Sequence, residues 1–320
     1  MQNQNNMRII ELLRFLYSKT DENHPATVTD IIFALREQGI HAVRQTIYTD
    51  LSSLMHVGFD IVVIKGSINQ YFLGDRIFEY PELKILADAV ASSKIISAKK
   101  TEVLLHKLGC LTSIYQAEQL KRLASLSSRV KPNNEKIYYI IDRTHSAILD
   151  HRQIAFQYYE YTQRKEKILK HNGYRYVLDP YALEWKNDHY YLIGFSHKHQ
   201  GIAHFRVDRI TSVEILKTAF IPVENFDVAA YTNTMVEMFA TRKPTSVELL
   251  CENRLMRTII DHYGEQVPVR FPDREHFIAT IEVNPSGTFY GWVFKFMGAI
   301  KILSPEECVY EMKMAAELFL

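Results

Sequence analysis

Cysteine is scarce in this sequence and what there is lies scattered. Cys110, Cys251 and Cys308 stand far apart, with no CxxC pair in 320 residues. That spacing argues against a disulfide framework or a structural zinc site and favours a reducing compartment. Glycine is sparse as well. No two of the 12 glycines have GxG spacing, so neither a dinucleotide fingerprint nor a Gly-rich phosphate loop is present. HExxH and GxSxG are also missing. No run of about 18 apolar residues occurs, so no membrane span is expected. The first residues are broken by Arg8, Glu11 and Arg14 and lack the apolar core of a signal peptide. A cytoplasmic protein is expected. Net charge is nearly absent too, at +1, but it averages over regions that differ.

What is present is a globular composition, 47% hydrophobic and 23% charged. The length exceeds the usual domain size of roughly 100–150 residues, so two or three domains are expected. Residues 7–18 place Ile9, Leu12, Leu13 and Leu16 at helical spacing, with Asn6 as N-cap. Thr29 is positioned to cap a second helix over 30–38, which Gly39 stops. A third helix from about Val43 to Val57 turns Ile47, Leu51 and Leu54 inward. "IVVIKGSINQYFL" alternates on both sides of "KGSIN" and predicts a hairpin.

Three short helices and a hairpin are the pattern of a winged helix-turn-helix, whose third helix enters the DNA major groove. Its outward positions are Arg44, Gln45, Thr46, Tyr48 and Thr49, with Arg suited to guanine and Gln to adenine. "RQTIYTDL" resembles the recognition helix of DeoR-type bacterial regulators, where "TIxRDL" is usual and Thr49 replaces the Arg. Residues 1–73 carry six Lys/Arg against seven Asp/Glu, so no dense basic face supplies non-specific DNA affinity. The alternative for this segment is a small helical domain that docks a protein partner.

Residues 80–131 read as helical, with Pro81 early in the first helix and Gly109 as punctuation. "PNNEK" marks a boundary near 132–136. A further helix, "IYYIIDRTHSAILDHR", leads into five short strands in about 65 residues, which predicts a curved antiparallel sheet or barrel. In "HFRVDRI", His204 and Arg206 share a face because side chains alternate along a strand. Between 136 and 217 there are thirteen Lys/Arg and nine Asp/Glu, a net of +4, with seven of the thirteen His. Arg beside Tyr and His on a curved sheet suits an anionic ligand, single-stranded nucleic acid above all. "HKH" at 197–199 reads as a solvated hairpin tip, and no metal-ligand set, cofactor motif or catalytic residue is assigned.

"DPYALEWKNDHYYLIGF" followed by "HFRVDRI" resembles the WYL domain. Its Trp-Tyr-Leu triplet stands here as Tyr190, Tyr191 and Leu192, and its FRxDRI signature as Phe205 to Ile210. Joined to the N-terminal pattern, this resembles WYL-domain transcriptional regulators over nearly the whole chain. The resemblance implies an Sm-like β-barrel that senses a ligand. It places the effector pocket at Tyr181, Tyr191, Arg206 and Arg209, with His204 where other polar residues often occur. Ala203 occupies a position where a cation is common.

From about 218, "FIPVENFDVAAYTNTMVEMF" reads as a linker plus helix. A βαββαβα order follows, the plan of a ferredoxin-like sandwich, with Ser304 as cap of the last helix. WYL regulators often carry such an extension, called WCX, which by resemblance helps dimerisation. The expected fold class is therefore a multidomain α+β chain. A winged helix-turn-helix spans 1–75, a helical connector 76–135, a WYL ligand-sensing domain 136–220, and a linker helix with a WCX domain 221–320. The expected function is a ligand-responsive DNA-binding transcriptional regulator, not an enzyme. Its partners would be double-stranded operator DNA and an anionic effector such as a nucleotide or oligonucleotide. It would act as a homodimer in the cytoplasm, at the nucleoid. The alternative is a nucleic-acid-binding adaptor whose N-terminal domain docks a protein.

Overall fold

The protein is described here from a computed structural model, over residues 2–125, 131, 135–186, 188–220, 227, 231 and 244–318. The chain divides into two compact units, Met1–Ile137 and Tyr138–Leu320. The helix expected within 221–240 lies outside the described residues, apart from Asp227 and Tyr231.

The first unit opens with α1 (Gln2–Lys19), β1 (Ala26–Thr27), α2 (Val28–Glu37) and α3 (Arg44–His56). β2 (Ile61–Ile64) and β3 (Gln70–Leu73) then form the expected hairpin, and β1 adds to β3 on its far edge. Leu12, Leu16, Ile31, Leu35, Ile47, Leu51 and Leu54 converge in one core, as their 3.6-residue periodicity requires. Two start signals differ from expectation. α1 begins before Asn6, and α2 is capped by Thr27, not Thr29. Thr27 accepts from the Asp30 amide and Asp30 accepts from the Thr27 amide, a reciprocal box that needs an acid three residues on. Thr29 is followed at that distance by Ile32. The unit continues through α4 (Tyr80–Ser92), α5 (Ala98–Gly109) and α6 (Ile114–Ser125), packed around Leu83, Ala87, Leu105 and Leu120.

α7 (Lys136–Leu149) begins two residues before the second unit, which continues into an antiparallel sheet. β4 (Arg152–Tyr161) is its hub. It pairs with β5 (Lys167–Leu169), β6 (Arg175–Lys186) and β9 (Ile210–Ala219). β6 pairs with β7 (His189–Ser196), and β7 with β8 (Gly201–Arg206). β5 has no counterpart in the expected strand series. The sheet is open, which corrects the expectation of a barrel: β8 and β9 form no ladder among the described residues. The turn between them, Val207–Arg209, is drawn inward instead. Val207 is fully buried, and Tyr159 donates to the Asp208 carbonyl at 2.8 Å, so the chain leaves β8 toward β4.

β6 contains Pro180, which has no amide to give a ladder. The register shifts between Pro180 and Ala182, and Gly194 stands opposite the proline. A methyl group on Gly194 would collide with the Asp179 carbonyl, so the close approach of the strands at this bulge demands glycine.

The remaining strands are β10 (Thr245–Glu252), β11 (Val269–Arg270), β12 (His276–Val283) and β13 (Ile300–Ser304), in the order β11-β12-β10-β13, all antiparallel. They are interleaved with α8 (Met256–Tyr263), α9 (Gly287–Phe294) and α10 (Glu306–Glu317), and Leu249, Cys251, Phe277, Ile281 and Phe289 form their core. The cap of α10 is Pro305, because Ser304 is still the last residue of β13.

Candidate nucleic-acid interface and effector face

α3 buries Ile47, Leu51 and Leu54 and leaves Arg44, Gln45, Tyr48 and Thr49 exposed, with Thr46 half-buried. Arg44 Nη2 lies 3.3 Å from Thr29 Oγ1 on α2, and the Thr49 hydroxyl donates to the Gln45 carbonyl at 3.0 Å. Asp50, one residue on, points the other way. It is buried and holds Arg8 of α1 through contacts of 2.6 and 3.1 Å. The aspartate of "TDL" is therefore a brace between helices, 42 residues from its partner in sequence. No local pattern announces such a pair.

In the second sheet, register settles which effector candidates meet. Tyr191 lies directly opposite Arg206, and Ile193 opposite His204. Partners in an antiparallel pair share a face, as do residues two apart on one strand. Tyr191, His204 and Arg206 are thus on one face. The Tyr191 and His204 rings are 6.4 Å apart, near edge-on. Tyr191 is buried with Ile193 in a small cluster to which Ile202 and Tyr231 add. Tyr181 falls at the register shift of β6, between Pro180 and Ala182. It sits at the β6 bulge with its ring 5.9 Å from Phe220, and burial, then the Asp179 charge, push its phenol up.

Arg206 does not stand alone. Its Nε and Nη2 reach the two oxygens of Asp208 at 3.1 and 2.8 Å, and Nη2 is 3.2 Å from His189 Nδ1. Burial alone would lower its pKa, but the carboxylate outweighs burial and raises it. The neighbouring Arg209 forms no ion pair among the described residues, and its charge acts instead on Tyr158. Reading along the sequence pairs Asp208 with its neighbour Arg209. In the structure it pairs with Arg206, the residue at the N-terminal end of the Val207–Arg209 turn.

The histidines at the hairpin tip part company. His197 Nε2 contacts Asp179 at 2.8 Å, and Gln153 donates to the same carboxylate oxygen at 2.7 Å. His199 stands near Tyr176, ring centroids 6.4 Å apart. No group of three or more potential metal ligands occurs among the described residues, and none of the described helices is long and apolar enough to cross a membrane.

No curated protein matches the chain. Among solved structures, it is similar to proteasome accessory factor B/C (PafBC) of Arthrobacter aurescens, at 18% identity and a TM-score of 0.30 over 98% of this chain. The chain spans 47% of the length of that protein. It is also similar to a structure described as a CRISPR Cas-related protein, at 13% identity and a TM-score of 0.39, covering 95% of this chain and 97% of the other. The family model of the WYL domain matches residues 139–215, which runs from α7 into β9 and includes the Tyr191–Arg206 face. Residues 139–215 of this chain are a WYL domain.

Proposed function

We propose that this chain is a ligand-controlled, DNA-binding transcriptional regulator. The observation that carries the reading is α3. One of its faces is core, and the other offers Arg44, Gln45, Tyr48 and Thr49 to solvent, in a three-helix domain followed by a hairpin. Residues 1–75 are read as a winged helix-turn-helix and 76–135 as a helical connector. The WYL domain, 136–220, is read as the sensor of an anionic effector, a nucleotide or single-stranded nucleic acid. Tyr191, His204 and Arg206 would be its centre, and Tyr181 and Arg209 its margins. The antiparallel order β11-β12-β10-β13 supports a ferredoxin-like WCX domain within 221–320. Two chains would pair to read a symmetric operator, since helix-turn-helix regulators match their own two-fold axis to palindromic sites. The reading assigns no catalytic step and places the protein in the cytoplasm, at the nucleoid.

The experiment is duplex binding by the full chain across a salt series, with genomic fragments flanking its own gene. Wild-type protein should select one fragment. Arg44→Ala combined with Gln45→Ala should lose that selectivity, each base contact contributing about 1–3 kcal/mol. Equal binding of wild type and variant to every fragment overturns the reading and favours the adaptor, in which this domain docks a protein.

A further inference from the structure

The β11-β12-β10-β13 sheet ends in an unpaired edge. β13 is its last strand and pairs with β10 alone among the described residues. Every second residue of an edge strand turns its amide and carbonyl outward, where they are open to another strand. Ile300 and Ile302 lie opposite Cys251 and Leu249, which are core residues, and so face the helices. Lys301 lies opposite Leu250, faces the other way and is exposed.

A groove of about 430 Å³ opens beside this edge. It is lined by Lys301 and Ile302 of β13, by Phe294 and Met297 at the end of α9, and by Met312 and Lys313 of α10. The lining is apolar apart from the two lysines and contains no carboxylate. Neither Lys301 nor Lys313 forms an ion pair among the described residues.

Met297 is 84% exposed, and its φ of 50° lies in the left-handed region that favours glycine. A long apolar side chain held in solvent on disfavoured backbone adds nothing to the core of its own domain, in which Met297 has no part. A lysine on an edge strand can serve merely to repel other strands. That role accounts for Lys301 but not for the apolar walls beside it, which invite contact.

We propose that the β13 edge is a docking site for an extended segment of a partner protein, one whose alternate residues are apolar and acidic. Added as a fifth strand, such a segment would pair with the outward amides and carbonyls of β13. Side chains alternate across a strand, so one set enters the groove against Met297 and Met312 while the other lies beside Lys301. Carboxylates in that second set, or at the groove end by Lys313, would meet positive charge with no competing acid in the lining. A helical occupant would cover the groove but leave the strand edge unpaired, so the edge selects an extended one. The site is separate from the DNA-reading helix and from the effector face.

The test is fluorescence anisotropy of the full chain with a labelled peptide of about six residues alternating valine and glutamate, a usual strand length. A control peptide carries lysine in place of glutamate and should bind roughly fivefold or more weakly, at the upper range for exposed ion pairs. Lys301→Glu should reverse that preference. Met297→Ser should weaken the acidic peptide about tenfold through lost apolar contact, with unchanged far-ultraviolet circular dichroism because the side chain is exposed. Methylating one alternate set of peptide amides should abolish binding, and methylating the other set should not, since only every second amide faces the edge. Indifference to both methylation patterns overturns strand addition. Equal affinity for the two peptides, or an unchanged preference in Lys301→Glu, overturns the acidic assignment. Failure of the acidic peptide to bind overturns the partner: self-association in sedimentation that Met297→Ser abolishes would then give the edge to a second copy, and its absence would leave Lys301 as edge protection alone.

Discussion

Arg8 of α1 and Asp50 of α3 meet as a bidentate salt bridge, Nε to Oδ2 at 2.6 Å and Nη2 to Oδ1 at 3.1 Å, with 12% and 6% of the two side chains exposed. It ties the first helix of the domain to the back of the helix proposed to read DNA. Removing one partner strands a charge in a poorly solvated place, which costs about 3–5 kcal/mol. Asp50→Ala should therefore lower the urea midpoint of the first unit markedly. Arg8→Met combined with Asp50→Leu should recover most of the loss, and a midpoint in Asp50→Ala equal to wild type would contradict the brace.

The competition for Arg206 gives a second expectation. Asp208 occupies the guanidinium that an anionic effector would use. Neutralising it by Asp208→Asn removes the competitor, and a half-exposed pair is worth at most about 1 kcal/mol. Affinity for a nucleotide, followed by titration calorimetry, should rise about fivefold. Arg206→Ala should lose it. Weaker binding in Asp208→Asn would mean that the carboxylate orients the guanidinium instead of blocking it.

Gly194 provides a test of the sheet itself. Gly194→Ala drives a methyl group into the Asp179 carbonyl at the Pro180 bulge. Overpacking of this kind costs about 1–3 kcal/mol or more where backbone must move. Thermal unfolding should shift down in this variant. Gly287→Ala, at a position with open space around it, should shift far less.

Acid should act on Asp21. Burial by itself would raise its pKa, but hydrogen bonds from Ser113, His24 and the Asn23 amide outweigh burial and hold it below the ordinary carboxylate value. A carboxylate depressed in the folded state contributes stability above its unfolded pKa of about 3.9 and loses it as pH falls through the folded value. Wild type should thus lose stability below about pH 4 more steeply than Asp21→Asn, which lacks this titration. Parallel acid limbs in urea unfolding of the two proteins would show that Asp21 contributes nothing.

Much of the first unit and of the WYL sheet was legible before any coordinates. Ile47, Leu51 and Leu54 recur at helical spacing, so α3 and its exposed face followed from periodicity alone. β6 to β8 followed from apolar runs bounded by turn residues, and the common face of His204 and Arg206 from strand alternation. What could not be read was closure and pairing. Whether β8 meets β9 depends on where Val207 buries and which carbonyl Tyr159 finds, and both partners are distant in sequence.

Sequence by itself determined which residues turn inward, since burial of apolar side chains follows a local period that the chain carries in its own order. It also determined that five cations and one carboxylate crowd residues 161–175. Only tertiary structure decided the partner of each charge: Arg206 with Asp208, Asp50 with Arg8, Arg175 with Glu214. A Coulomb interaction depends on distance in space and on the water between two groups, and neither is encoded at any fixed separation along the chain.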